Sequence, residues 1–481
     1  MNFLKNSISS IVSIALSIMA PAKDQRPNII LVMADDQGYG DCGFTGHPFV
    51  KTPELDAMAK ESVVFNRFYA AAPVCSPTRA SVLTGRHPMR TNVPNHGHYM
   101  RPHETTLAEV LQSAGYVTGH FGKWHIGSVQ PDSPTSPGKT GFDEWLTGLN
   151  FFDQDPYLVK NGKYEQLKGQ GSVLTIDATL DFLKKHKDGG KPMFAVTWLP
   201  APHDPHKEVP VDFPGGDDLY KDLKKKYGIE DHFRGYFLEI TLLDQQVGRL
   251  RKALREMEIA DNTLVWYCSD NGGLVKESSG GRAKKGSIYE GGLRVPALIE
   301  WPTKLKHIAI DTPASTSDIY PTLLKIAGAK VDQQAQLDGI DLAPIIAGTQ
   351  KERPGMGFWH HYESGQSTWS DRIIKKLMEA QQAGEPTPHP ERLLKNINDF
   401  PKRDRGNFNG HAAWTQWPYK IHRIVSNGKQ TVELYNLATD PMEAKDRSKS
   451  DTNRAATMLE QLDKWQNSVF DSWEGKDYQK P

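Results

Sequence analysis

Cysteine is scarce in this chain. Only Cys42, Cys75 and Cys268 stand among 481 residues. That is too few for a disulfide framework, and none falls in the CxxC or Cys/His spacings of structural zinc. Either a single disulfide forms or one cysteine is chemically special. Excess charge is also missing, because 58 Lys and Arg balance 58 Asp and Glu. Without a global basic field the chain is not expected to bind nucleic acid, although a local cluster of positive charge is still allowed. Beyond residue 22 no run of roughly 18 apolar residues occurs, so stable membrane insertion is not expected. No internal repeat is present. With 38% hydrophobic and 24% charged residues the chain is not a disordered one. Its length suits two domains, or one large domain with an appendage.

The first 22 residues read as a processing segment. Lys5 gives a positive start, Ile8 to Ala20 is mainly apolar, and Ala20-Pro21-Ala22 forms an A-x-A site. This is the pattern of a secretory signal peptide, with an uncleaved anchor as the alternative. The mature protein is expected to be exported, either periplasmic or secreted.

Ile29 to Met33 is a short continuous apolar run, as in a buried parallel strand, and ends in Asp35-Asp36. Thr52 to Ser62 reads as a helix with Thr52 as N-cap, Pro53 first, and Leu55, Met58 and Ala59 facing inward. Glu104 to Ala114 is a second amphipathic helix, followed by a strand over Tyr116 to Phe121. The alternation continues with a helix over 175–186, a strand over 193–199, a long helix over 234–257 and a strand over 263–268. Helices alternating with buried strands predict an α/β fold with a mixed, mainly parallel sheet. Composition shifts after about residue 345. The domains are expected at 23–345 and 346–481, with an insertion or long surface loop at about 360–405. Tyr419 to Val425 and Gln430 to Tyr435 predict a hairpin around Asn427-Gly428. Arg454 to Val469 predicts a terminal helix, which makes the tail a small α+β unit.

Asp35-Asp36 and Asp270-Asn271 each follow a predicted strand. In open α/β sheets ligands gather at the carboxyl ends of strands. Either pair alone is ordinary turn chemistry. Together they offer three carboxylates and an amide oxygen, a hard set suited to Ca²⁺ or Mg²⁺. The run Cys75-Ser76-Pro77-Thr78-Arg79-Ala80-Ser81-Val82-Leu83-Thr84-Gly85-Arg86 reads as a helix start closed by Gly85. Cys75 lies at its N-terminus with Arg79 one turn on, an arrangement suited to an anion.

C-x-P-x-R followed by A-S-x-L-T-G-R resembles the signature of the type I sulfatases, of the alkaline-phosphatase-like superfamily. Asp35 to Asp41, Gly122 to Gly127, Ala201-Pro202-His203, Lys285-Gly286 and Tyr289 to Pro296 are similar to family blocks and stand in family order. The likeness is strong over about 26–345 and moderate over 410–481. It implies hydrolysis of sulfate monoesters. Cys75 would be oxidised to formylglycine by a maturation enzyme. One Ca²⁺ would be held by Asp35, Asp36, Asp270, Asn271 and residue 75. Arg79 would hold the formylglycine and the metal-site carboxylates in place. Lys123 and His125, two apart, would face one way in an extended stretch. Lys123 would contact the sulfate, and His125 would deprotonate the second hydroxyl of residue 75. His203 would protonate the leaving oxygen beside Lys285, with His206 and Lys284 as nearby competitors for the two roles. An exported sulfatase suits a sulfated carbohydrate, either a host glycan or an algal polysaccharide fragment, attacked in exo fashion. The rival expectations are a phosphonate monoester hydrolase or phosphodiesterase of the same fold, and a catalytically silent glycan-binding protein. Trp359, His360, His361, Trp414 and Trp417 are expected to form either a sugar platform or core.

Overall fold

The computed structural model describes residues 26–206 and 214–478. The apolar leader read at 1–22 lies outside the described residues. A ten-stranded sheet organises the larger part. Its centre is five parallel strands, in spatial order Thr263–Ser269, Asn28–Ala34, Met193–Trp198, Val117–Lys123 and Glu144–Gly148. Antiparallel strands extend both edges, so the sheet is mixed with a parallel heart. The first strand is buried on both faces. Ile29, Leu31 and Met33 enter one core with Phe194 and Trp266, whereas Ile30 and Val32 enter the other with Ala195 and Val265. Alternating residues thus serve opposite layers, which is why the sequence shows an unbroken apolar run.

The helices fall close to where their periodicity places them; the one expected over 175–186 begins earlier, at Gly171, where the Gln170 side chain accepts from the Ser172 and Val173 N–H, and two others differ at their N-terminal caps. Pro53–Glu61 turns Leu55, Met58 and Ala59 inward, but Thr52 does not cap it through its side chain. The cap comes from the long helix Arg234–Glu256, where Asp244 accepts from the Glu54 and Leu55 backbone N–H at 3.1 and 2.7 Å. The helix predicted from Glu104 begins later, at Leu107, because Thr106 and Glu109 close a reciprocal capping box there.

The tail forms a separate four-stranded antiparallel sheet of Met356–His360, Gly410–Gln416, Tyr419–Ser426 and Lys429–Asn436. Asn427 and Gly428 close the hairpin, both at positive φ, the geometry of a type I′ turn. The final helix, Thr452–Trp473, packs on this sheet and also reaches Met89 of the larger part. Within the 360–405 stretch a helix, Ser370–Ala383, buries Ile373, Ile374 and Leu377 in the main core beside the outer strands Tyr157–Lys160 and Lys163–Gln166.

Candidate functional site

Four neighbouring parallel strands deliver polar side chains at their carboxyl ends. Asp35 and Asp36 follow Asn28–Ala34, and Asp270 and Asn271 follow Thr263–Ser269. Lys123 ends Val117–Lys123, and His203 lies a few residues beyond Met193–Trp198. The helix Cys75–Thr84 points its N-terminus at the same spot, with Cys75 as its first residue. This is the crevice where α/β sheets bind ligands.

Three carboxylates meet three cations there. Lys123 Nζ donates to Asp35 Oδ2 at 2.6 Å. Arg79 donates to Asp270 Oδ2 from Nε and Nη2 at 3.1 and 2.6 Å, and to the Lys123 carbonyl at 3.0 Å. Lys285 Nζ sits 2.7 Å from Asp36. The Asp36 backbone N–H donates to Asp270 Oδ1, and Asn271 Nδ2 donates to Asp36 Oδ1. Burial works to raise Asp35, but Lys123, with His203 and Arg79, holds it well below the usual carboxylate range. Burial, and then Asp35 beside it, push Asp270 upward. Burial would depress Lys285, yet Asp36 holds it above its ordinary value.

Two acceptors in this dense set have no partner. Asp35 Oδ1 and Asn271 Oδ1 are buried without a hydrogen bond. An unpaired buried acceptor costs about 1–3 kcal/mol, which a bound cation would offset. Ligand atoms of Asp35, Cys75 and Asp270 lie within 4.8 Å of one another, as do those of Asp35, Asp36 and His203. The donor set is oxygen-rich and fits a hard divalent cation.

The chemistry-bearing side chains gather on one rim. Cys75 Sγ is 3.3 Å from His125 Nδ1, and Ser76 Oγ donates to the His125 carbonyl at 2.6 Å. Burial pushes the Cys75 thiol up. Burial, then Lys123, hold His125 well below its ordinary value. The extended stretch expected through Lys123 and His125 is not what joins them. His125 has φ 61°, in the left-handed region, so a turn after the strand brings its ring round to Cys75. Trp124 between them is fully buried in the core. His203 Nε2 lies 3.7 Å from Asp36 Oδ2, and its ring stacks on Phe151 at 4.8 Å. His206 turns aside to the Pro202 carbonyl, and Lys284 is exposed. Of each neighbouring pair, His203 and Lys285 are the side chains that reach Asp36.

These groups open into a cavity of about 490 Å³ lined by Cys75, His125, His203 and Lys285. One wall comes from the 360–405 stretch, expected as an insertion or long surface loop. The Gln366 N–H donates to the Gly97 carbonyl at 3.1 Å, and a Cβ on Gly97 would lie 2.2 Å from the Gln366 carbonyl, so only glycine permits this contact. Thr368 Oγ1 stands 3.3 Å from His125 Nε2 and accepts from Asn150 Nδ2 at 2.8 Å. His96, Asn150, Phe151, Tyr362, Thr368 and Trp369 line the cavity and were not singled out in the sequence. Of these, only the aromatic pair Tyr362 and Trp369 carries a signal, as large apolar side chains within a polar stretch. Trp359, His360, His361, Trp414 and Trp417, expected as either a sugar platform or core, do not line the cavity. Trp359 is buried against Phe470, Trp414 packs beside Trp465, and Trp417 lies under Arg67.

Comparison with known proteins gives this geometry a lineage. The pattern of the Sulfatase family matches residues 27–329. The chain belongs to the sulfatase family. It is a sulfuric ester hydrolase of the alkaline-phosphatase-like fold. The ulvan-active sulfatase of Formosa agariphila is 30% identical over 68% of this chain and 66% of its own length. The N-acetylgalactosamine-6-sulfatase of Sus scrofa is 32% identical over 69% of this chain and 68% of its own. The crystal structure of Ps i-CgsB superposes with a TM-score of 0.74 at 26% identity, covering 95% of this sulfatase and 94% of that chain. A phosphonate monoester hydrolase of Agrobacterium radiobacter shares the fold at 20% identity and a TM-score of 0.62.

Proposed function

We propose that this sulfatase removes sulfate from a carbohydrate in exo fashion after export, with residue 75 as nucleophile. The observation that carries this reading is Cys75 itself. It stands at a helix N-terminus, 3.3 Å from His125, in the same cluster as two unpaired oxygens, Asp35 Oδ1 and Asn271 Oδ1. Its relatives include proteins named for ulvan and for N-acetylgalactosamine 6-sulfate, both carbohydrates. A structural neighbour is described in complex with k-i-k-neocarrahexaose.

Asp35, Asp36, Asp270 and Asn271, with residue 75, would hold the Ca²⁺. When present, the cation would supply positive charge to the sulfate oxygens, and formylglycine at residue 75, once water has added to its aldehyde, would supply the attacking hydroxyl of the hydrate. Arg79, Lys123 and Lys285 surround the same point with fixed positive charge, where it opposes the build-up of negative charge on the sulfate. His125 Nδ1 is placed to take a proton from the residue 75 side chain, and burial keeps its ring neutral, as a base requires. His203, at the cavity wall, is placed to hand a proton to the leaving sugar oxygen. The required partner is a formylglycine-generating maturation enzyme.

The test uses protein made alongside such an enzyme. Mass spectrometry across residue 75 should show the thiol replaced by an aldehyde. The protein should then hydrolyse 4-nitrophenyl sulfate in preference to the matching phosphate and phosphonate esters. Cys75→Ala should cost at least about a thousandfold in kcat. Full activity on the sulfate with an intact thiol would remove residue 75 from its role. Preference for the phosphonate would favour the rival hydrolase.

A further inference from the structure

The cavity over Cys75 does not end at its aromatic wall. A second hollow of about 230 Å³ adjoins it, and Phe151 and Trp369 line both. Phe151 faces two ways. Its ring stacks on His203 and meets Trp369 edge-on at 5.6 Å. Trp369 is 53% exposed, a large apolar face kept in solvent beside a polar site. The Arg372 guanidinium lies 4.9 Å over the Trp369 ring and lines only the outer hollow, together with Gln154 and Pro205. The first turn of the helix Ser370–Ala383 carries Arg372. That helix is anchored by Ile373, Ile374 and Leu377 in the core, so the outer hollow has a rigid side. Trp369 and Arg372 both lie beyond residue 329, where the family pattern stops.

We propose that the outer hollow is a second sugar subsite. It would hold the pyranose next to the sulfated residue, with Trp369 as the stacking face, Arg372 and Gln154 as hydrogen-bond donors and Asp153 and Asp371 as acceptors for its hydroxyl groups. The proposal rests on the reading of this chain as a carbohydrate sulfatase. Three features support it. The hollow adjoins the reacting cavity and shares Phe151 and Trp369 with it. An exposed indole next to a cation suits a sugar ring, which presents C–H groups to the aromatic face and oxygens to the charge. The leaving oxygen must face His203, and Phe151 carries the wall from His203 directly into the outer hollow. A sulfated unit over residue 75 therefore has its next neighbour beside Trp369. The substrate class that follows is an oligosaccharide of at least two units, with the sulfated one at the chain end.

The experiment compares matured wild-type, Trp369→Ala and Arg372→Ala proteins. The substrates are matched pairs: N-acetylgalactosamine 6-sulfate with a chondroitin 6-sulfate tetrasaccharide, and galactose 4-sulfate with neocarrahexaose. 4-Nitrophenyl sulfate serves as a length-independent control. For at least one pair, wild-type kcat/KM should be tenfold or more higher on the oligosaccharide. That ratio should fall towards unity in Trp369→Ala and by several-fold in Arg372→Ala, mainly through KM. Trp369→Phe should keep most of the ratio. Ratios near unity in the wild type, or ratios unchanged in both variants, overturn the subsite. Turnover of the aryl sulfate with no oligosaccharide accepted overturns it too. Failure on the aryl sulfate as well would instead sink the sulfatase chemistry on which it rests.

Discussion

Two clusters of buried charge lie within this molecule, and they are built to different ends. The first is the group of Asp35, Asp36 and Asp270 with Arg79, Lys123 and Lys285. The second joins the C-terminal sheet to the larger part. There, Lys420 Nζ bridges Glu290 at 2.9 Å and Glu443 at 3.2 Å. His422 Nε2 lies 2.8 Å from Glu443, and His411 Nε2 lies 2.9 Å from His422 Nδ1. The other Glu290 oxygen accepts from Tyr69, and the Glu290 N–H donates to Glu443. A carboxylate can only accept, so His422 donates from Nε2 and accepts at Nδ1, which fixes both imidazole tautomers. Every strong group in this second cluster finds its partner within the protein. The first cluster keeps two oxygens unpaired, Asp35 Oδ1 and the adjoining Asn271 Oδ1, and opens to a cavity. Equal burial thus serves closure in one place and readiness for a ligand in the other.

The contrast can be tested at three strengths. Removing the central cation of the closed cluster should hurt most. Lys420→Ala leaves Glu290 and Glu443 facing each other without compensation, and should cost about 3–5 kcal/mol in denaturant unfolding. No added ion should restore it. A loss under about 1 kcal/mol would mean that this cluster adds little to holding the two parts together. The open cluster should respond to its ligand instead. Ca²⁺ at a hundred times its Kd should stabilise the protein by about 2.7 kcal/mol, read as a rise in Tm, and Asp270→Asn should abolish most of that gain. An equal shift in wild type and variant would place the ion elsewhere.

The smallest effect is acid sensitivity. Burial holds His422 well below its ordinary value and pushes His87 down to about 3. In the unfolded chain both protonate near pH 6.5, whereas the folded protein keeps them neutral. Their contribution is therefore present above pH 6.5 and is lost as the pH falls below it. Each should cost about 1.4 kcal/mol by pH 5.5. His422→Gln should flatten the stability profile between pH 7 and 5 by about one histidine's share. An unchanged slope would show that His422 is protonated in the fold.

Much of this architecture could be read from the chain because it is written locally. Apolar runs ending in acidic residues mark strands whose carboxyl ends meet, and Cys75-x-Pro77-x-Arg79 marks a helix start. Asn427-Gly428 names its own turn. What stayed hidden depends on partners far apart in sequence. The cap on Pro53–Glu61 comes from Asp244, some 190 residues away. The left-handed φ of His125 leaves no trace in Lys-Trp-His. Trp359 allows either a sugar platform or core on its sequence and is core, whereas Trp369, in a stretch rich in Gln, Glu and Lys, stands at the cavity. Exposure is a tertiary property, so neighbouring residues do not reveal it.

Every residue of the helix Cys75–Thr84 is buried. An enzyme that must grip the backbone around Cys75 finds nothing to grip once that helix has docked. On the reading proposed above, oxidation and folding are therefore in a race that begins as the chain is made. Molecules that fold first would keep their thiol, and modifying enzyme added to folded protein would recover little of it. The active fraction of a preparation is then a record of timing, fixed before the protein had a shape.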